Sequence, residues 1–121
     1  LSKVEEIITR EERLDKALLA LQMQKVHDAG KKVLIVIIRM LKRIVSDPKE
    51  VKYRKINLNN KLVREKITSR PGGKSLLLAA GFQCNELTQE LVMDETGIDV
   101  DWINAVVVKG TEVLADNEGT Q

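Results

Sequence analysis

Apolar residues recur three and four positions apart along much of the chain, a spacing that predicts a mainly helical protein. Val4, Ile7, Ile8, Leu14, Ala17, Leu18 and Leu21 fall on one helical face. They predict an amphipathic helix to about Lys25, or a short helix followed by a longer one. Two capping patterns mark its start, Ser2-Lys3-Val4-Glu5 and Thr9-Arg10-Glu11-Glu12, each a hydroxyl residue three positions ahead of a glutamate. The second allows a break near Thr9.

Asp28 is a suitable cap for the next helix. The run Val33 to Ile38 alone would serve as a buried strand. The apolar pattern, however, continues through Met40, Leu41, Ile44 and Val45, with Arg39, Lys42 and Arg43 on the opposite face. A helix that is apolar on most sides is a central, buried one. Ser46-Asp47-Pro48 ends it, and Asp47 is placed to cap a short new turn with Pro48 at its first position.

After Tyr53-Arg54-Lys55-Ile56, an asparagine of Asn57-Leu58-Asn59-Asn60 caps a helix expected over Lys61 to Ile67. Arg70-Pro71-Gly72-Gly73 is a loop, and Lys74 to Ala80 a short helix stopped by a left-handed Gly81. Phe82 to Cys84 and Glu90 to Met93 read as two short strands around Asn85-Glu86. Asp99 or Asp101 caps a last helix, about Val100 to Leu114, with Ile103, Val106, Val107, Val113 and Leu114 on one face. A polar tail follows. There is no internal repeat.

At 121 residues the chain is the size of one domain, large enough to fold without a metal or disulfide staple. Its 43% hydrophobic and 31% charged residues fit an ordered, soluble protein. Tyr53, Phe82 and Trp102 are the only aromatics, so the core must be aliphatic. The longest apolar run is far shorter than a membrane span. One cysteine, Cys84, excludes an intrachain disulfide and points to a reducing compartment, cytoplasm or nucleus. With Leu1 at its start and no signal-peptide pattern, the chain is expected to be part of a longer protein.

Charge changes this picture more than composition does. Residues 39–74 carry twelve Lys/Arg against three Asp/Glu, a net of +9. Residues 83–121 carry one Lys against nine Asp/Glu, a net of −8. Either the basic middle meets an acidic partner, or it partly faces the chain's own acidic end.

Catalytic patterns find little support. Gly73-Lys74-Ser75 resembles the end of a phosphate-binding loop, but position 68 is Thr68 where that motif needs glycine, and the preceding segment reads as helix. A Gly-rich turn into a helix explains these residues. Cys84 and His27 are the only Cys and His, and neither sits in a nucleophile signature or a zinc-ligand spacing. Both read as structural. The carboxylate pairs Glu5-Glu6, Glu11-Glu12 and Asp94-Glu95 are adjacent in sequence and so point apart, as solvated faces do. A basic nucleic-acid-binding module is a weaker alternative, because the basic segment offers one aromatic, Tyr53, and no stacking platform.

The stretch Asp47 to Lys61, with Lys52-Tyr53-Arg54, Ile56 and Asn60, followed by Gly72, Gly81 and Phe82, resembles the PUB domain (also called PUG). This family occurs in peptide:N-glycanase, in some UBX proteins and in a linear-chain ubiquitin ligase. The resemblance covers about Asp28 to Ala115. It implies a mainly α (α+β) fold: a compact helical bundle with a small two- to three-stranded β-sheet near the C-terminus. The division expected is an N-terminal amphipathic helical extension over 1–27, a PUB-like domain over 28–115 and a polar tail over 116–121.

The resemblance also implies a function. PUB domains bind the C-terminal tail of the valosin-containing-protein AAA+ ATPase, which is acidic and ends in a hydrophobic-aromatic element. Carried over, Tyr53 and Ile56 form the apolar pocket, Asn60 bonds the peptide backbone, and Lys52 faces the acidic groups. Val63 stands where an aromatic is often found, Arg43 where the family often has Asn, and Asn57 where a basic residue is common. Without the resemblance, Tyr53 reads as a packed core residue with its hydroxyl satisfied. The expectation is a protein-binding module with no catalytic residues, cofactor, metal, small-molecule substrate or membrane contact. It would link its parent protein to the ubiquitin–proteasome system and ER-associated degradation. The alternative is a scaffolding or ubiquitin-binding domain of a peptide:N-glycanase, whose transglutaminase-like chemistry would lie elsewhere.

Overall fold

Thr9 opens the first helix, its Oγ1 accepting the Glu12 N–H at 3.1 Å. In the computed structural model, which describes residues 9–23 and 29–119, helix α1 is Arg10–Gln22 and α2 is Ala29–Ser46. The Ser2 capping pattern, the apolar positions Val4, Ile7 and Ile8, His27 and the Asp28 cap lie outside the described residues. The β-branched run Val33 to Ile38 is helical, because burial of Val33, Leu34, Ile37, Ile38, Leu41 and Ile44 outweighs its strand propensity. Helix α2 packs against α1 and against four later segments: the 3-10 turn Val51–Arg54, the π turn Arg64–Thr68 and helices α4 (Gly73–Ala80) and α5 (Val100–Gly119).

Asp47 and Pro48 end α2 as expected. The turn that follows is closed by the backbone, Glu50 N–H to Asp47 O at 3.1 Å, and Glu50 caps the 3-10 turn Val51–Arg54 by accepting from Lys52 N–H. The chain then runs into strand β1, Lys55–Asn57. With β2 (Gln83–Asn85) and β3 (Glu90–Val92) it forms a three-stranded antiparallel sheet with β3 in the middle. Ile56, Leu91 and Cys84 are in register across it, with Ile56 and Leu91 in the core. The fold is therefore the expected helical bundle with a small sheet. The expected helix over Lys61 to Ile67 is split. Residues Lys61–Val63 form α3, and Arg64–Thr68 continue as a π turn that buries Ile67.

Gly81 ends α4 at φ 126°, with Phe82 N–H bonding Leu77 O and Gly81 N–H bonding Leu78 O. That pair is the Schellman stop, with apolar Phe82 turned into the core. Asp99 begins α5, its Oδ1 accepting Trp102 N–H at 3.0 Å. The helix passes Leu114 and runs to Gly119, and Gly110 lies inside it without ending it, where a Cβ would press on Leu34 and Ile38 of α2.

Helix α1 is built into this core. Leu14, Ala17, Leu18 and Leu21 are buried in the same cluster as the inward faces of α2, α4 and α5. Arg10 clasps its open end. Its Nη1 lies 2.9 Å from Asp99 Oδ2, and its guanidinium stacks 4.4 Å from the Trp102 ring centre, while Trp102 Nε1 donates to Ala79 O at 2.8 Å. The Trp102 backbone N–H, then Arg10, hold the Asp99 carboxyl below its ordinary value of 3.8. A depressed acid pKa contributes stability that is complete above the ordinary value and lost as pH falls below it. The stability difference between wild type and Asp99→Asn, read from urea midpoints, should thus hold level above about pH 5 and close towards about pH 3. A difference that widens on acidification would contradict this account of the clasp.

Candidate functional site

The site residues expected from the sequence lie on four consecutive segments, the end of α2, the 3-10 turn, β1 and α3. Both the 3-10 turn and the π turn pack against α2. Arg43, in the last turn of α2, is exposed, and its carbonyl accepts from Ser46 Oγ and Asp47 N–H. Lys52 and Tyr53 sit in the 3-10 turn. Lys52 is exposed, and Tyr53 is half-buried against the core. The Tyr53 hydroxyl has no hydrogen-bond partner among the described residues, so the reading of a packed tyrosine with its hydroxyl satisfied is not what the fold presents. Arg54 holds this turn in place. It is 6% exposed, its Nη1 donates to Met93 O at 2.8 Å, and its carbonyl accepts Met93 N–H.

Asn57 and Asn60 bracket the turn into α3. Asn57 Oδ1 accepts Asn59 N–H at 2.9 Å, and Asn57 O accepts Asn60 N–H at 3.1 Å. Asn60 Oδ1 accepts both Leu62 N–H at 2.9 Å and Val63 N–H at 3.2 Å, the expected helix cap. Capping occupies only the oxygen of Asn60. Its amide hydrogens find no acceptor among the described residues and remain two exposed donors. Val63 is half-buried one turn on. Ile56 is 3% exposed and faces the core opposite Leu91, so it supports the site from beneath and presents little surface.

Sequence reasoning did not single out Val36, Met40 and Leu58, which are half-buried against the same core as Tyr53 and Val63. Their signal was present only for Val36 and Met40, as the edge of the α2 apolar stripe. The exposed charges on these segments are mostly positive. Arg43, Lys52, Lys55 and Arg64 form no ion pair among the described residues, and no salt bridge there joins residues 39–74 to the acidic end. Lys61 is the one cation of residues 39–74 with an ion pair among the described residues, to Glu65 at 3.9 Å. The cationic surface is thus largely uncompensated by the described residues.

Other candidate chemistry resolves into packing. Gly73-Lys74-Ser75 is the first turn of α4, and a Cβ at Gly73 would fall 2.1 Å from Ile67 O, so this glycine serves a close backbone approach. Cys84 is a partly buried member of the sheet. No group of three or more His, Cys, Asp or Glu placed to hold a metal occurs among the described residues. No described helix is long and apolar enough to cross a membrane.

Comparison with known proteins agrees with this architecture. Plant UBX domain-containing protein 2 of Arabidopsis thaliana is 38% identical over 61 residues, which make up 49% of the chain and 13% of that relative. The matched stretch is a small part of the relative's length. The profile of the PUB domain matches residues 27–103, which include α2, the sheet and the first turn of α5. PUB domains are protein–protein interaction modules. Matched over more than half its length, and with the expected bundle and sheet, the chain belongs to the PUB domain family.

Proposed function

We propose that the seam formed by α2, the Tyr53 turn and the start of α3 binds the acidic C-terminal tail of a valosin-containing-protein-type AAA+ ATPase. The chain would thereby couple its parent protein to ubiquitin-dependent quality control and degradation. The observation that carries this reading is Tyr53, half-buried in a basic surface with its hydroxyl unclaimed. An aromatic held this way offers apolar area at little entropic cost. Tyr53, Met40 and Val63 receive the apolar end of the tail, with Ile56 packed below. The Asn60 amide donates to the peptide backbone, Asn57 borders the turn, and Lys52 and Arg43 face the carboxylates. In this reading the chain needs no cofactor and performs no reaction. The PUB assignment and the UBX-containing relative support it.

A short peptide gives up ordering entropy on binding, so affinity should be micromolar, on the order of −7 to −9 kcal/mol. Tyr53→Ala should cost about 1–3 kcal/mol of it while leaving the domain folded. Asn60→Ala confounds two roles, since losing the cap costs about 1 kcal/mol of stability. Asn60→Ser keeps a capping oxygen and removes the amide donors, so it should weaken binding with little change in melting. Arg43→Ala should weaken binding mainly at low salt, where an exposed charge acts at longest range. A folded Tyr53→Ala variant that titrates the tail peptide like wild type would end this assignment.

A further inference from the structure

We infer that the groove between the N-terminal half of α2 and the π turn is a second subsite, which takes the acidic stretch upstream of the peptide's anchored end. This inference rests on the reading of the Tyr53 seam as a peptide site. The groove encloses about 460 Å³, and its lining includes Lys32, Val33 and Val36 of α2 and Glu65, Lys66 and Arg70 across from them.

Its chemistry selects an anion with an extended backbone. Lys32 and Val36 are one turn apart on α2, and Lys66 faces the same opening with Arg70 four residues on. Val33 is buried and Val36 half-buried, which gives the groove an apolar floor. Lys32, Lys66 and Arg70 have no ion-pair partner among the described residues, and the one carboxylate in the lining, Glu65, is engaged by Lys61. Three cations over aliphatic side chains suit a peptide whose carboxylates alternate with apolar contacts. No aromatic lines the groove, so it offers nothing for a nucleic-acid base to stack on.

The groove and the proposed anchor site share helix α2. Val36, Met40 and Arg43 follow one another along a single face of α2 at spacings of four and three. From Val36 to Arg43 the helix rises about 10 Å. An extended peptide covers that distance in about three residues. Carboxylates about three to five residues upstream of an end held beside Arg43 therefore come level with Val36 and Lys32, where Lys66 and Arg70 line the same groove. In this way the subsite reads the length and charge of the tail, beyond its terminal residues.

The test uses the full chain and two labelled peptides, one with the acidic stretch and the apolar-aromatic end, the other cut to that end. Lys66→Glu/Arg70→Glu reverses two exposed charges outside the anchor site. The long peptide should lose about tenfold in affinity at low salt, and the short peptide should be unaffected. Tyr53→Ala should weaken both. If the charge reversal leaves the long peptide unchanged, or weakens both peptides equally, the subsite is refuted while the anchor reading stands. If wild type binds neither peptide, both fall. A single-stranded oligonucleotide that binds wild type more tightly than the long peptide, and is displaced by the same charge reversal, would reassign the groove to nucleic acid and overturn the inference.

Discussion

Replacing Gly73 with alanine is expected to unfold the domain or lower its melting temperature drastically. A Cβ at this position would stand 2.1 Å from the Ile67 carbonyl oxygen, 3.0 Å from the Ile67 carbonyl carbon and 3.2 Å from Val33 Cγ1. The two nearest obstacles are backbone atoms of the π turn, which cannot rotate aside as a side-chain end does. Relief requires α4 to move away from the π turn and α2, and Leu76 and Leu77 are core residues of that same helix. Overpacking of this kind costs about 3 kcal/mol or more, a large part of the 5–15 kcal/mol that holds a domain together. For a chain of this size that corresponds to a fall of roughly 10 °C or more in Tm. Gly97→Ala is the matched control. It has nothing within 4 Å of its Cβ position and should melt close to wild type. A Gly73→Ala protein that also melts like wild type would show that the π turn does not sit against α4 as described.

Removing α1 should have a comparable effect. A chain trimmed to residues 28–121 keeps the segment matched by the family profile, yet loses Leu14, Ala17, Leu18 and Leu21, which are 5%, 2%, 3% and 2% exposed. Burial of each leucine is worth about 2–3 kcal/mol, so the three approach the whole stability of a small domain. The loss also bares the faces of α2, α4 and α5 that α1 covers, and removes the Arg10 clasp on Asp99 and Trp102. Gly72, at φ 99°, lies so close to α1 that a Cβ there would come within 2.9 Å of Ala17 O and Leu21 Cγ. The trimmed chain should therefore bind a hydrophobic dye and lose its cooperative thermal transition. A sharp transition within a few degrees of the intact chain would mean that α1 is an appendage to a domain complete without it.

What could be read from the sequence was mostly local. The Thr9, Asn60 and Asp99 caps and the Gly81 stop each depend on a residue and its neighbours within one turn, and each appears where its chemistry placed it. The apolar stripe of α2 was long enough to overrule the strand propensity of Val33 to Ile38. Strand β1 was missed because Lys55-Ile56-Asn57 has one apolar residue and no alternation to detect. It is a strand only because β3 lies alongside it. The π turn adds a residue to a helical turn without changing which residues are apolar, so periodicity reads it as ordinary helix. The burial of Arg54 and the stacking of Arg10 on Trp102 join residues 39 and 92 positions apart. No local pattern announces contacts at such separations. At the candidate site, the resemblance drew attention to the segment, while the placement of each side chain within it emerged from geometry. Ile56 went inward, Tyr53 stayed at the boundary, and the Asn60 oxygen was spent on capping while its amide stayed free.

The most direct measurement of the central claim is the change in backbone amide resonances as the acidic ATPase tail peptide is titrated into the isotope-labelled chain. Shifts should concentrate at Lys52, Tyr53, Asn57, Asn60 and Val63, and along the Val36 to Arg43 face of α2. They should weaken together as salt is raised and vanish in Tyr53→Ala. Saturable shifts confined to the β2–β3 hairpin or to the α1–α4 face, with the Tyr53 turn unmoved, would contradict the account.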